Sequence, residues 1–252
     1  MTQQLAVVIP AYNEADRIAA TVTAAAALPG VDLVAVVDDG SLDGTAVIAR
    51  KAGAAVLRHA RNRGKAAAME TGAEAVRLLD QRDGQSRPLL FLDGDLGASA
   101  AAAGPLAAPV LAGEADMTVA AFARRVRLGG HGLVVGLSAR GTRRALGWAP
   151  AQPLNGQRCL TRAAFDAARP LARGFGVETA LTIDLARKGY RVLEVEVDLA
   201  HRATGTDLGS RLHRARQLAD VALALFSRRA LFSRQALPPQ VAAGARSKPP
   251  GW

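Results

Sequence analysis

Apolar runs of strand length alternate with helix-length segments through the first half of the chain. The apolar runs are LAVVIP (5–10), LVAVVDD (33–39), AAVLRH (54–59) and PLLFLDGD (88–95), and helical patterns span 14–28, 45–52 and 65–79. Continuous runs of leucine and β-branched residues are typical of parallel strands that helices cover on both faces. The pattern therefore predicts an α/β fold with a Rossmann-like, mostly parallel sheet and helices on both faces.

The second half of the chain has a less regular pattern. It predicts a strand at 115–124, after which a Gly- and Arg-rich stretch runs to about 147. A turn, a short strand and a helix start are predicted over 153–165, then a helix at 178–188 and a strand at 191–202. The chain ends in an amphipathic helix from 208 to about 232 and a flexible tail at 236–252. Gly189 is placed to cap the helix that precedes it. We expect one compact domain followed by the tail.

Charge and cysteine content narrow the classes of partner and compartment. The 252 residues include 32 basic and 22 acidic side chains, and 50% are hydrophobic, which excludes a disordered chain. Segment 117–165 has eight arginines and no acid. No aromatic or zinc module accompanies these arginines, so we expect a small anion rather than nucleic acid as the partner. Cys159 is the single cysteine, which excludes an internal disulfide.

The N-terminal apolar run predicts neither a signal peptide nor a membrane span. It ends at Pro10 and has no basic leader. We therefore expect a cytoplasmic protein. The C-terminal amphipathic helix leaves three alternatives open, namely core cover, a homodimer contact, or peripheral contact with the inner membrane face.

Polar residues cluster where the predicted strands end. The strand ends carry Pro10-Ala11-Tyr12-Asn13-Glu14, Asp38-Asp39-Gly40-Ser41, Arg61-Asn62-Arg63-Gly64-Lys65 and Asp93-Gly94-Asp95. In open α/β sheets the ligand lies beyond the carboxyl ends of the strands, because loops and helix N-termini meet there. We expect these groups at one edge of the sheet.

The Asp93-Gly94-Asp95 triplet indicates a cation site. Two carboxylates one residue apart at the end of a buried strand bind a divalent cation, whose other ligands would be diphosphate and water oxygens. The alternative is an ordinary Asx turn. Lys65 opens a predicted helix, where backbone amides also favour phosphate oxygens, although an exposed first-turn lysine is the alternative.

Four motifs together resemble the donor half of family-2 glycosyltransferases with the GT-A fold. They are VVIPAYNE (7–14), VVDDGSLDGT (36–45), RNRGKAAAMETG (61–72) and FLDGDL (91–96). No G-x-x-x-x-G-K-[ST] loop and no G-x-G-x-x-G follows the first strand, which argues against a P-loop ATPase or a dinucleotide oxidoreductase. Residues 1–120 would then be the nucleotide-sugar-binding half, and 121–235 the acceptor-binding half with the C-terminal helix.

The resemblance implies a role for each matching residue at the donor site. Pro10, Tyr12 and Glu14 would line the nucleoside pocket, Asp39 would read the base, Lys65 would lie near the diphosphate, Asp93 and Gly94 would approach the ribose and phosphates, and Asp95 would bind Mg or Mn.

The second half resembles glucosyl-3-phosphoglycerate synthases and polyprenyl-phosphate sugar transferases of the same superfamily. The resemblance rests on PLNGQR (153–158), GFGVETALTID (174–184) and His201. It implies that His201 is a second metal ligand, against the alternative of a hydrogen-bonded surface histidine. Glu178 would orient sugar hydroxyls or accept a proton from the acceptor, against the alternative of a helix-dipole carboxylate.

The acid-free segment would bind the acceptor. Arginine binds phosphate and carboxylate bidentately, so we expect an anionic acceptor contacted by Arg140, Asn155, Gly156 and Arg158. The sequence thus predicts transfer of a single sugar from a UDP- or GDP-linked donor to a small anionic or lipid-phosphate acceptor. The alternatives are a catalytically silent nucleotide-sugar-binding protein and a sugar-nucleotide nucleotidyltransferase.

Overall fold

The computed structural model describes residues 4–122, 132–199 and 208–231. Within these ranges the strands are β1 (Leu5–Ala11), β2 (Val31–Asp38), β3 (Ala55–Arg58), β4 (Leu89–Phe91), β5 (Met117–Phe122), β6 (Arg158–Leu160) and β7 (Val192–Val197). The helices are α1 (Ile18–Ala26), α2 (Thr45–Lys51), α3 (Lys65–Asp83), α4 (Gly104–Leu111), α5 (Gly132–Leu146), α6 (Arg162–Ala168), α7 (Val177–Arg187) and α8 (Leu208–Leu231). Short 3₁₀ segments cover Gly97–Ala103 and Gly174–Gly176.

The strands form one sheet in the order β3-β2-β1-β4-β6-β5-β7. Strand β6 is antiparallel to both of its neighbours, β4 and β5, and the other pairings are parallel. The prediction of an α/β fold with a mostly parallel sheet is confirmed. Because β6 runs against the others, the residues that precede it lie at the edge where the parallel strands end.

Strand β1 lies in the middle of the sheet and divides the core into two layers. Leu5, Val7 and Ile9 face α1 and α4, whereas Ala6 and Val8 face α3. All five side chains are buried. Since helices cover both faces, every position of the strand is apolar, and the sequence shows a continuous run instead of an alternating one.

Several helix and strand boundaries differ from the predicted ones for identifiable reasons. Helix α3 continues past residue 79 to Asp83, where Gly84 ends it in the left-handed conformation with φ 66°. Helix α1 begins at Ile18 and not at Glu14, because residues 13–15 bond to the loop after β2. Strand β4 ends at Phe91, and the chain then turns to carry the Asp93 triplet.

The Gly- and Arg-rich stretch before residue 147, for which the sequence predicted no helix or strand, forms α5 over 132–146. Its three glycines and its β-branched valines give this segment a low intrinsic helix propensity. Packing supplies the missing stability. A Cβ added to Gly141 would lie 2.4 Å from both δ-carbons of Leu225, so α5 and α8 are in close contact.

Helix α8 forms as predicted, from Leu208 to Leu231. Among its apolar residues, Val221 is buried and Leu225 half-buried, whereas Leu218 and Phe226 are exposed. The tail at 236–252 and His201 lie outside the described residues. Among helices within the described ranges, none combines the length and apolar character that a membrane crossing requires.

Candidate functional site

Backbone and side-chain hydrogen bonds join the loops that follow β1 and β2. The backbone N–H of Asn13 donates to Ser41 Oγ at 2.9 Å, and Asn13 Oδ1 accepts from the backbone N–H of Leu42 at 2.9 Å. Asn13 has φ 56°, a left-handed conformation that asparagine tolerates. This junction fixes the backbone on both sides of Asn13. It leaves Tyr12 44% exposed and Glu14 half-buried at the sheet edge.

Asp39 organises the approach to α3. Its carboxylate accepts from the backbone N–H groups of Arg63 at 2.9 Å and Gly64 at 2.7 Å. Its Oδ1 also lies 2.6 Å from His59 Nδ1, and the other ring nitrogen of His59 lies 3.0 Å from Thr71 Oγ1. Asp39 thereby holds the turn that leads into Lys65, and its base-reading role stays a prediction.

Lys65, Asp93 and Glu178 meet at the carboxyl edge of the sheet, and we call this group the Lys65 cluster. Lys65 Nζ lies 2.6 Å from Asp93 Oδ1 and 3.0 Å from Glu178 Oε1. Burial acts to lower the pKa of Lys65, but the charges of Asp93 and Glu178 outweigh it and raise that pKa above the ordinary 10.5. Lys65 is therefore an ammonium ion at neutral pH. It joins a carboxylate from each half of the chain.

The turn before β6 completes this cluster. Gln157 Nε2 donates to Asp93 Oδ2 at 2.6 Å, so both carboxylate oxygens of Asp93 are bound within the protein. A Cβ added to Gly156 would lie 2.2 Å from Lys65 Nζ, so the turn lies directly against the lysine ammonium group. Only glycine fits there without displacing the lysine.

Asn155 and Arg158 point into the protein. Asn155 Nδ2 donates to the Ala120 carbonyl at 2.8 Å, and the Arg158 guanidinium donates to the Asn155 carbonyl at 2.9 Å and Thr182 Oγ1 at 2.8 Å. Burial lowers the pKa of Arg158 to about 10, and the charges of Glu178 and Asp93 oppose that shift. Arg158 is 1% exposed. Both side chains thus form hydrogen bonds within the protein that stabilise the turn before β6, and their role in binding an acceptor stays a prediction.

Helix α8 packs against the segment that leads to Glu178. Glu178 lies in the first turn of α7, directly after the Gly174–Gly176 segment, and it is buried. The backbone N–H of Phe175 donates to Asp220 Oδ2 at 3.1 Å. A Cβ added to Gly176 would lie 2.7 Å from the Asp220 carbonyl oxygen, so α8 packs directly against the segment that leads to Glu178.

Gly94 and Asp95 follow Asp93 in the turn after β4, and Gly94 lies against the end of β1. A Cβ on Gly94 would lie 3.2 Å from Ala11 Cβ and 3.3 Å from Glu14 Cγ, and the Gly94 carbonyl accepts from Thr21 Oγ1 at 2.9 Å. The half-buried Asp95 carboxylate has no hydrogen bond or ion pair to any of the described residues. In contrast to Asp93, whose two carboxylate oxygens are both bound, no described residue occupies the Asp95 oxygens.

Asp95 fits the chemistry of a Mg or Mn ligand, because these ions prefer carboxylate and phosphate oxygens. In the described part of the chain, no three His, Cys, Asp or Glu side chains are grouped to hold a metal without such help. The other ligands would be diphosphate oxygens and His201, which lies outside the described residues. Arg140 lies on an exposed face of α5, and no contact in the described residues joins it to the Lys65 cluster.

Sequence reasoning overlooked His59 and Gln157. His59 follows β3 at the same edge as the other strand ends, which was a usable signal. Gln157 lies within the PLNGQR motif (153–158), which was a signal for the segment, but its contact with Asp93 depends on the antiparallel direction of β6.

Comparison with protein families and known proteins identifies relatives. Residues 6–134 match the family model described as glycosyl transferase family 2. The curated glycosyltransferase AglJ of Haloferax volcanii is 29% identical, with an alignment that covers 80% of this chain and 64% of that protein. The chain thus spans less than two thirds of the length of this relative.

Solved structures of glucosyl-3-phosphoglycerate synthase from Mycobacterium tuberculosis have a similar fold. The complex of that enzyme with Mn²⁺, UDP and phosphoglyceric acid has a TM-score of 0.72 and 27% identity, and the match covers 90% of this chain and 78% of that one. Its complex with Mg²⁺ and UDP has a TM-score of 0.68 and 27% identity, covering 90% and 79%.

Proposed function

The chain belongs to glycosyl transferase family 2, and we propose that it moves a single sugar from a UDP- or GDP-linked donor to a small anionic or lipid-phosphate acceptor. The observation that carries this proposal is the position of Lys65 Nζ, between Asp93 at 2.6 Å and Glu178 at 3.0 Å. Asp93 comes from the half that contains the donor motifs, and Glu178 comes from the other half. A donor and an acceptor bound on the two sides would therefore meet at this cluster.

The donor side offers groups suited to a nucleoside diphosphate. Tyr12 and Glu14 belong to the loop after β1, which is hydrogen-bonded to the loop after β2. The Asp95 carboxylate, which has no hydrogen bond or ion pair to a described residue, can bind a cation. A bound divalent cation would supply charge stabilisation for the diphosphate as it leaves. The similar synthase that binds UDP with Mn²⁺ or Mg²⁺ supports a uridine donor and a metal requirement.

In the proposed transfer, an acceptor oxygen forms a bond to the anomeric carbon. The bond from that carbon to the diphosphate oxygen breaks, and the diphosphate leaves with the electron pair. Glu178 orients the sugar hydroxyls or takes the proton that the acceptor hydroxyl loses. Lys65 holds Glu178 and Asp93 in position through its two short contacts. The phosphoglyceric acid bound to the similar synthase supports an anionic acceptor.

Calorimetric titration with UDP and GDP, with and without Mn²⁺, tests the donor site. We expect Mn²⁺ to strengthen binding of one nucleotide, and Asp95→Asn to weaken the Mn²⁺-dependent binding by about tenfold or more, because a charged ligand is lost. The control is Asp166→Asn, since Asp166 is an exposed carboxylate on α6. Binding that responds neither to Mn²⁺ nor to Asp95→Asn would refute the metal assignment.

Glu178→Gln tests the catalytic assignment. The amide keeps the side-chain size but cannot accept a proton as a carboxylate does, so we expect turnover to fall by about 100-fold or more while donor affinity changes little. Release of UDP or GDP from the sugar nucleotide measures turnover. The exposed Glu114→Gln is the control. Near-normal turnover in Glu178→Gln would remove the role, and a wild-type chain that binds nucleotide without turnover would be the silent binding protein.

A further inference from the structure

An apolar groove of about 800 Å³ runs between α5, α7 and α8. Leu137, Ile183, Leu225 and Phe226 provide its apolar lining. Glu178 lies in the first turn of α7, and the two lining residues of that helix, Ile183 and Arg187, lie five and nine residues further along it, or about 8 Å and 14 Å at 1.5 Å per residue. Lys65, Asp93 and Glu178 do not line the groove, which therefore adjoins the Lys65 cluster without including it.

Arginines line the same groove. Arg228 is paired with Asp184, and Arg187 donates to the Ala145 carbonyl at 3.3 Å. The other three, Arg140, Arg143 and Arg144, are exposed and make no ion pair with any described residue. No acidic side chain belongs to the described lining of the groove, and segment 117–165 contains none. The groove therefore carries positive charge that these residues do not neutralise.

Two large apolar side chains on α8 extend this surface outward. Leu223 is 67% exposed and Phe226 is 69% exposed. They are three residues apart, so they lie on the same side of the helix. Exposed aromatic and aliphatic groups beside arginines are typical of helices that lie at a lipid surface.

We propose that the groove binds an anionic membrane lipid, with an acyl chain between α5 and α8 and the lipid phosphate among Arg140, Arg143 and Arg144. Its volume matches that of small-molecule pockets. Its apolar lining provides contacts for a hydrocarbon chain that a free phosphate does not have. The unpaired arginines provide the complementary charge for the headgroup.

Charge complementarity argues against two other occupants. A second copy that docked symmetrically across the groove would bring the same unpaired arginines together. Residues 232–252 of this chain contain Arg234, Arg246 and Lys248 and no acidic residue, so they carry the same sign of charge. An anionic lipid is the occupant that relieves the repulsion instead of adding to it.

Vesicle flotation tests the headgroup contact. The wild-type chain is expected to float with vesicles of phosphatidylcholine and phosphatidylglycerol but not with phosphatidylcholine alone. In the double variant Arg143→Gln/Arg144→Gln, partitioning to the anionic vesicles should fall about 30-fold. The matched control is Arg50→Gln/Lys51→Gln, which also removes two consecutive exposed basic residues from the last turn of a helix. The control should keep most of the wild-type binding.

A second pair of variants tests the apolar contact. Phe226→Asp should abolish flotation with the anionic vesicles, whereas Leu78→Asp, at an exposed leucine of α3, should not. Thermal unfolding shows whether each variant is folded.

Four results would overturn the proposal. These are no flotation of the wild-type chain, equal losses in a variant and its control, full binding by Phe226→Asp, and a dimer that Phe226→Asp dissociates without any vesicle binding. Flotation requires neither donor nor turnover, so its outcome is independent of the proposed transferase activity.

Discussion

Gly156 is the residue at which the two halves of the candidate site approach most closely. Its absent side chain leaves the space that Lys65 Nζ and the Asp93 carboxylate fill, since a Cβ would lie 2.2 Å from Nζ and 2.8 Å from Oδ1. Nitrogen and carboxylate oxygens cannot share that space with a methyl group. The geometry of the Lys65 cluster therefore depends on glycine at this position.

Gly156→Ala should lower kcat/KM for sugar transfer by about 100-fold, because a shift of about 1 Å in a positioned group has an effect of that size. Initial rates with the sugar nucleotide measure the effect. Gly136→Ala is the matched control, because a Cβ at Gly136 meets no atom within 4 Å. Wild-type rates in Gly156→Ala would show that the cluster tolerates the displacement.

At the residue scale, the structure brings the predicted residues Lys65, Asp93 and Gly156 together, and it does not join Arg140 to them. Strand ends and a helix start were enough to predict that Lys65 and Asp93 lie at one edge, and the structure brings them to 2.6 Å. Glu178 joins them from the second half at 3.0 Å. The PLNGQR motif marked the segment that contains Gln157 but not its contact with Asp93, which depends on the register of a three-residue strand.

At the element scale, hydrogen bonds between Asp116 and Arg191 join the N-terminal ends of β5 and β7. The backbone N–H of Arg191 donates to Asp116 Oδ2 at 2.8 Å, and the Arg191 carbonyl accepts from Met117 N at 3.0 Å. Burial acts to raise the pKa of Asp116, but the hydrogen bonds from Arg191 outweigh it and hold that pKa below 3.8. The charged form of Asp116 therefore stabilises the parallel pairing of these strands.

Asp116→Asn should lower the free energy of unfolding by about 1 kcal/mol at pH 7, because the Arg191 partner is largely exposed. A carboxylate with a lowered pKa contributes its stability above its ordinary pKa of 3.8 and loses it as the pH falls through the folded value. The difference between wild type and variant should thus shrink below pH 4. Urea unfolding at pH 7 and pH 3 measures it, with the exposed Asp198→Asn as control. A difference that does not change with pH would contradict this account.

The element that sequence reasoning overlooked shows the limit of local patterns. Helix α5 contains Gly132, Gly136 and Gly141, which favour a loop when only local propensity is considered. Leu225 of α8 packs against Gly141, so one of the residues that weakens the helix allows the close contact that stabilises it. This stabilisation comes from a partner 84 residues away in sequence and is therefore invisible to a local pattern.

At the scale of the whole molecule, aromatic packing joins the segments 1–120 and 121–235. Phe91 of β4 and Phe165 of α6 stack with ring centroids 5.4 Å apart, and both are buried. Both also belong to the core layer that contains residues of α3 and α7. We propose that the two segments unfold as one unit.

Phe165→Ala should lower the free energy of unfolding by about 3–5 kcal/mol, because it leaves a cavity in this layer. The unfolding curve should keep a single transition, with Trp148 fluorescence and far-UV circular dichroism coinciding. Phe226→Ala, at an exposed phenylalanine, should change stability little. Two separate transitions, or loss of structure at only one probe, would show that the segments are independent.

The reversed direction of β6 has a consequence for how specificity diversifies. The segment 148–157 reaches the Lys65 cluster at Gly156 and Gln157, yet it lies outside the parallel β-α-β framework that carries the donor motifs. Length changes near its N-terminal end would reshape the surface beside the Lys65 cluster without altering the register of β1, β2 or β4. Replacing this segment with that of a related protein, while retaining Gly156 and Gln157, should change which acceptor is bound and leave the proposed donor site on the parallel strands unaltered.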